Sequence, residues 1–252
     1  VKMGFLTDLA DRFGADTVAT GHYARVERGD GGAVRLFRGR DYQKDQSYFL
    51  FGLAPKVLRR LEFPLGELEK TESRAEARRL GLPNADKPDS QELCFIPDGD
   101  VRAFAEREAG RTHAGRILSE DGTELGRHEG IEGFTVGQRK GLGLGGGPPR
   151  YVLKIVPESS DVVVGDVAGL RSSGLDAVDA AWPGGRPTGP FDAQVRIRYR
   201  HDPAPAEVTP TEDGFRVRFE EPQRAITPGQ ATVVYQGDEV IAGGFISKSA
   251  EQ

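Results

Sequence analysis

Thr17-Val18-Ala19-Thr20-Gly21-His22 is the stretch on which the fold turns. Ahead of it, Val1, Phe5, Leu9, Ala10 and Phe13 recur at helical spacing, with Asp8, Asp11 and Arg12 available for the wet face, which predicts an amphipathic helix. Gly14 fits as its C-terminal stop. The run Thr17–Thr20 then reads as a short buried strand that ends in Gly21-His22. Helix, turn, buried strand and Gly-His at the strand's carboxyl end is what an open α/β sheet offers at its ligand-binding edge, where a glycine lets a phosphate or a base approach the backbone. A turn glycine beside a hydrogen-bonded histidine accounts for the same two letters, so the pair by itself is a weak signal.

Outward from this strand, Ala24–Glu27 and Val34–Arg38 alternate well enough for two strands around the turn Gly29-Asp30-Gly31-Gly32. Asp41-Tyr42-Gln43-Lys44-Asp45-Gln46-Ser47-Tyr48-Phe49-Leu50 follows, a polar run leading into a block that Tyr48, Phe49 and Leu50 are expected to hold against a core. Lys44, Asp45 and Gln46 supply a cation, an acceptor and an amide, a set that suits RNA backbone and base edges; a solvated helix start explains the same letters. Thr71–Leu80 is helical by composition, with Thr71 as its cap, Gly81 as its stop and Pro83 beyond.

The only cysteine, Cys94, sits in Lys87-Pro88-Asp89-Ser90-Gln91-Glu92-Leu93-Cys94-Phe95-Ile96, between this helix and one predicted over Val101–Glu108 behind an Asp100 cap. Polar, turn-prone residues before the thiol and an apolar pair after it describe a segment pinned at one end, a plausible setting for a working sulfur. Composition alone favours a buried structural cysteine. Asp89 and Glu92 raise a thiol pKa by like-charge repulsion and only Lys87 opposes them locally, so activation has to come from residues distant in sequence.

After Gly110 the texture changes to short strands between Gly and Asp turns: Arg116–Ser119, Thr123–Arg127, Tyr151–Val156 and Asp161–Gly165. The glycine-rich stretch from Gly133 to Gly147 lacks the G-x-x-x-x-G-K-[ST] pattern of a nucleotide-binding loop; a basic loop at an RNA surface and an ordinary long turn are its two readings. From Gly174 onward period-two alternation dominates and indicates an all-β barrel or sandwich. Within it, Val195-Arg196-Ile197-Arg198-Tyr199-Arg200 is expected to line three arginines along one strand face, a basic ridge for a polyanion, with cross-strand pairing to Glu220 and Glu221 as its structural alternative.

Composition sets outer limits. A chain of 252 residues is long enough for two or three domains. The net charge of −5 argues against indiscriminate nucleic-acid binding, so any such site is a local basic patch. No apolar run approaches the ~18 residues of a membrane span. One cysteine excludes an internal disulfide and a thiol-based structural zinc site, which fits a reducing cytosol and a cytoplasmic location.

Seven segments in order resemble the tRNA-specific 2-thiouridylase family: Ala19–Arg25, Lys44–Leu50, Phe63–Lys70, Asp89–Ile96, Val136–Gly143, Arg198–Arg200 and Thr227–Gln230. The resemblance covers essentially the whole chain. It implies an α/β plus β protein, with residues 1–99 the C-terminal portion of a Rossmann-like ATP-pyrophosphatase domain, 100–168 a small, mostly-β central domain and 174–252 a C-terminal β-barrel that binds tRNA. The implied activity is sulfur transfer to the 2-position of the wobble uridine of tRNA, with ATP and Mg²⁺, from a cysteine persulfide loaded by a sulfur-donor protein, either a cysteine desulfurase or a relay protein. Carried over residue by residue, Cys94 matches the persulfide cysteine, Gly21 an ATP-contacting glycine, and His22, Lys44, Asp45, Gln46, Arg198, Tyr199 and Gln230 tRNA contacts. The family's Ser-Gly-Gly-x-Asp-Ser loop and its Asn-Pro-x-x-x-Cys-Asn segment have no counterpart in these residues. Because the text begins at Val1 inside a helical pattern, the expectation is a chain lacking an N-terminal part and inactive alone. The alternative is a non-catalytic tRNA-binding module in which Cys94 is structural.

Overall fold

The computed structural model describes residues 2–87 and 113–250; Cys94, the Asp100 cap and the helix expected over Val101–Glu108 lie outside the described residues. Two compact units result. The first joins the described residues up to Lys87 to Ser173–Glu221 and Pro228–Ala250; the second joins those from 113 to Ser172 to Pro222–Thr227.

The first unit opens with helix α1 (Lys2–Phe13). Its buried stripe is Met3, Thr7 and Ala10, whereas Phe5 is 65% and Phe13 79% exposed, so the helix faces the core by a different stripe from the one its largest apolar residues suggest. Thr7 is admissible inside because its hydroxyl donates to the Gly4 carbonyl at 2.8 Å. Arg60 closes the far end: it pairs with Asp11 in the last turn at 2.6 Å and donates to the carbonyls of Ala15 and Asp16, in the segment that leaves the helix. Strand β1 (Val18–Ala19) runs parallel to β4 (Leu61–Glu62). The expected four-residue buried strand is thus two residues long with Ala19 exposed, because β4 is its only sheet neighbour among the described residues.

Strands β2 (Ala24–Arg28) and β3 (Val34–Arg38) form the expected antiparallel hairpin, and Gly31 and Gly32 take the positive φ its turn requires. Two single turns of helix follow, α2 (Ser47–Leu50) and α3 (Pro55–Leu58), and then α4 (Lys70–Arg79). The cap of α4 is Glu69 and not Thr71: Glu69 and Glu72 bond each other's backbone in a reciprocal capping box, with Glu69 N–H donating to Glu72 Oε2 at 2.7 Å. The three-residue spacing of that box places the cap at 69.

The remainder of this unit is a closed barrel of six strands, β9 (Arg171–Ala181), β10 (Phe191–Arg196), β11 (Ala204–Pro210), β12 (Gly214–Arg224), β13 (Ala231–Gln236) and β14 (Glu239–Ser249). The order β13-β10-β11-β12-β9-β14 closes through β13–β14 pairing, which removes the barrel's sheet edges. Along β12 the period-two rule holds, with Phe215, Val217 and Phe219 inside and Arg216 and Arg218 out. Strand β13 departs from it: Thr232, Val233, Val234 and Tyr235 are all buried. The cause is the hairpin. β3 adds to β14 in the register Glu239↔Phe37 and Val240↔Leu36, and the outward residues Val233 and Tyr235 share one core with Leu36, Tyr48, Leu50, Phe51, Leu58 and Leu61. Each large apolar side chain so buried contributes roughly 1.5–3 kcal/mol, enough to fuse the α/β segment and the barrel into one unit.

The second unit holds strands β5 (Gly115–Ser119), β6 (Glu124–His128), β7 (Tyr151–Val156) and β8 (Asp161–Gly165) in the order β6-β5-β8-β7. Its core is Ile117, Leu142, Val152, Val162 and Val164. The glycine-rich stretch is clipped to β7, since Gly137 N–H donates to the Val152 carbonyl and Val152 N–H to that of Gln138. Leu142 anchors it from within, which leaves Arg139 and Lys140 exposed.

Candidate nucleic-acid interface

The segment from Asp41 to Leu50 organises the site. The buried Asp41 carboxylate accepts from the backbone N–H groups of Gln43, Lys44 and, from the start of α4, Lys70, and so fixes the polar run to two elements. Gln46 clamps the next segment from both sides: its Oε1 accepts from Tyr23 N–H at 3.1 Å and its N–H donates to the Tyr23 carbonyl at 2.8 Å. Tyr23 is the residue after Gly21-His22. The half-buried His22 ring is held by Thr20 Oγ1 at 2.9 Å from Nδ1 and packs edge-on against Phe63, 5.9 Å between centroids. Two residues beyond Gln46, Tyr48 of α2 donates its hydroxyl to the Ala231 carbonyl at 2.7 Å, beside the exposed Gln230, and its ring lies 5.9 Å from that of Tyr199. Four sequence-remote segments, around 21–23, 44–48, 198–199 and 230–231, therefore meet along one continuous chain of contacts.

Two glycines of this region differ in what requires them. A Cβ on Gly66 would overlap the Ala24 carbonyl, so the fold itself requires that glycine. A Cβ on the exposed Gly21 would meet only Leu65 Cδ1 at an ordinary 3.6 Å, and Gly21 lies outside the left-handed region, so packing among the described residues makes no demand for it.

Asp45 is 2% exposed and committed inward. Its Oδ1 accepts from Gly39 and Ser47 N–H, its Oδ2 from the Ser47 hydroxyl, and the Arg196 guanidinium stands 4.0 Å away. Tyr235, fully buried, has the Arg38 guanidinium stacked 3.8 Å from its ring centroid and that of Arg196 at 5.8 Å. Burial pushes the Tyr235 hydroxyl above its ordinary pKa, against the Ser47 hydrogen bond. This charged seam extends to the β13–β14 turn, where Asp238 takes Arg25 at 2.9 Å and the Tyr42 hydroxyl at 2.6 Å; that hydrogen bond, ahead of burial, raises the Tyr42 pKa.

The expected ridge of three arginines is not a strand face. β10 ends at Arg196, which pairs with Val233 on the outward face of the barrel, and residues 197–200 bend and turn away, His201 N–H donating to the Arg198 carbonyl. Arg196 keeps only 12% of its side chain exposed beneath the α/β segment, while Arg198 and Tyr199 are half-buried and Arg200 is exposed. The acid that answers Arg196 is Asp45, not Glu220 or Glu221, whose strand β12 is not a neighbour of β10. Tyr48 lies within the electrostatic reach of both Arg196 and Arg198, but burial outweighs them and its hydroxyl is pushed up to about 12. The block Tyr48-Phe49-Leu50 is likewise split: Tyr48 and Leu50 are buried, and Phe49 is 59% exposed.

Three family models match in succession, described as tRNA methyl transferase HUP domain over residues 1–98, tRNA methyl transferase PRC-barrel domain over 102–166 and aminomethyltransferase beta-barrel domain over 172–246. The tRNA-specific 2-thiouridylase MnmA of Geobacter metallireducens is 48% identical over 248 residues, covering 98% of this chain and 67% of that protein. The chain belongs to the tRNA-specific 2-thiouridylase family. Thiouridylases of the same name from Chloroflexus aurantiacus (44% identical, 98% of this chain, 70% of that protein) and Sorangium cellulosum (48%, 98% and 65%) agree. This thiouridylase-family chain thus combines a HUP-domain portion, a PRC-barrel middle domain and a six-stranded C-terminal barrel. It spans about two thirds of the length of these relatives. Among the described residues, no helix is long and apolar enough to cross a membrane, and no group of three or more His, Cys, Asp or Glu stands ready for a metal ion.

Proposed function

We propose that the chain serves ATP-dependent 2-thiolation of the wobble uridine of tRNA, in the cytoplasm, with Cys94 carrying the transferable sulfur as a persulfide received from a cysteine desulfurase or a relay protein. The supporting observation is the convergence of the Gly21-His22 edge, the Lys44–Gln46 turn, Arg198-Tyr199 and Gln230 along one chain of contacts. In this reading 1–99 is the catalytic portion, 100–168 the central domain and 174–252 the tRNA-binding barrel. His22, Lys44, Gln46, Arg198, Tyr199 and Gln230 meet the tRNA directly, and Gly21 borders the nucleotide. Asp45 acts from beneath, holding the turn that presents Lys44 and Gln46.

The residues described fit ATP in one respect: at Gly21 only Leu65 Cδ1, at an ordinary 3.6 Å, would meet an added Cβ, so they leave the backbone there approachable. With Mg²⁺, which takes most of its ligands from phosphates and water, ATP would supply the adenylate that turns the uridine 2-oxygen into a leaving group. A thiolate is the reactive form of cysteine; as a persulfide its terminal sulfur attacks C2 and AMP leaves with the oxygen. A second thiol then attacks Cys94 Sγ, closing a disulfide and leaving the sulfur on the base; that thiol comes from outside these residues, because Cys94 is their only cysteine. The test is sulfur loading. Incubated with a sulfane-sulfur donor and trapped by alkylation, Cys94 acquires one additional sulfur by mass spectrometry and Cys94→Ser acquires none. A Cys94 that stays inert while the protein binds tRNA would show a binding module with a structural cysteine instead.

A further inference from the structure

We propose that Phe49 and Tyr199 together form a ledge on which an unpaired base of the RNA stacks. A single exposed phenylalanine is ordinary on a protein surface. This one is part of a built group. Its ring is 4.5 Å from that of Tyr199 at 44° and 5.4 Å from that of Tyr48 at 87°, and Tyr48 in turn contacts Tyr199. The innermost ring is fixed by its hydroxyl on the Ala231 carbonyl, so the two outer rings stand on a rigid mount. The helical geometry of α2 turns Tyr48 and Leu50 inward and Phe49 out, so its exposure follows from the backbone and not from a loose side chain.

The surroundings select the occupant. Arg198 precedes Tyr199 and acts electrostatically on Tyr48, Arg200 follows in the exposed turn, and Lys44 lies in the turn that leads into α2. Aromatic faces interleaved with cations on an acidic chain suit a strand that carries a phosphate beside every flat base. A paired helix keeps its base faces covered, so the ledge takes a loop or another unpaired nucleotide. Base-aromatic stacking changes affinity by about 5- to 150-fold per ring removed. The inference rests on tRNA being the substrate, and it adds Phe49 to the contacts and assigns to Tyr199 a stacking role.

The experiment measures binding of the 252-residue chain to a tRNA transcript with an unmodified wobble uridine, and to a loop-free RNA duplex, across a salt series. Phe49→Ala is expected to weaken tRNA binding by roughly tenfold or more with the salt slope and duplex binding unchanged. Phe49→Leu should be as weak as Phe49→Ala, and Phe49→Trp should restore binding, with identical melting curves throughout. Wild-type affinity in Phe49→Ala or in Phe49→Leu overturns the ledge and leaves the tRNA reading standing, provided Arg198→Ala still weakens binding. Loss of self-association in Phe49→Ala, seen by sedimentation, would assign the ledge to a second copy and overturn the base. A wild-type chain that does not bind tRNA removes the functional reading and the ledge together.

Discussion

Arg196 and Arg198 lie two residues apart in a run that alternates like a strand, yet they belong to different worlds. Arg196 is the last residue of β10, roofed by the α/β segment, stacked beside Tyr235 and answered by Asp45. Arg198 lies past the strand's end, on the rim that carries Tyr199. The first is a cation that holds the molecule together; the second lies half-buried past the strand and is proposed as a tRNA contact. What separates them is not residue type but whether another part of the chain covers the strand face.

The largest effect that sharpens this contrast is on stability. Asp45→Ala leaves the Arg196 charge buried without its acid and strips Gly39 and Ser47 of their acceptor; the cost is about 3–5 kcal/mol in urea unfolding. Combining it with Arg196→Met should recover much of the loss, since an apolar side chain of similar length needs no counter-charge. A change below about 0.5 kcal/mol for Asp45→Ala, accompanied by a large drop in RNA affinity, would place Asp45 on the rim instead. Arg198→Ala is the opposite case. Its unfolding midpoint should stay put, while tRNA affinity falls and the slope of log K against log salt decreases by about 0.7–0.9, as expected when the protein neutralises one phosphate fewer. An unchanged slope would take Arg198 out of the interface.

The smallest effect comes from a third, ordinary surface pair, which calibrates the other two. On the barrel, Asp176 pairs with Arg216 at 2.8 Å and Lys248 at 3.1 Å; the Arg216 hydrogen bond is the main reason its carboxyl lies below the usual carboxylate pKa, with partial burial opposing and Lys248 assisting. A carboxylate depressed in the folded state stabilises above its unfolded pKa, and that contribution is lost as pH falls through the folded value. Asp176→Asn should therefore cost at most about 1 kcal/mol near neutral pH, with the difference from wild type vanishing in acid. A difference that persists in strong acid would mean the residue acts through packing.

Much of the site is legible as letters and little of it as geometry. The hairpin, the strands of the second unit and the barrel follow from period-two alternation and turn residues, because those signals are local. Helix α1 shows the limit: Phe5 and Phe13 advertise an apolar face, but the core takes Met3, Thr7 and Ala10, because a threonine that bonds its own helix is admissible inside. The Glu69–Glu72 pair has the spacing of a capping box in the sequence itself, but Thr71 is the residue type that ordinarily marks a helix start and so points to the wrong position. Nothing local marks Asp45 for burial or Phe49 for exposure. Both depend on where α2 lands against β13.

By itself the sequence determined the family, the hairpin, the β character of the chain from Gly115 onward and the set of residues around which a sulfur-transfer site for tRNA is proposed, since motifs and periodicity are properties of neighbours along the chain. Only the tertiary structure decided that β3 joins β14, that the α/β segment and the barrel share one core, and that of two nearby arginines one is structural and one faces the rim. The reason is physical: a charge or a ring acquires its role from what covers it, and the residues that cover Arg196 belong to a segment near the other end of the chain.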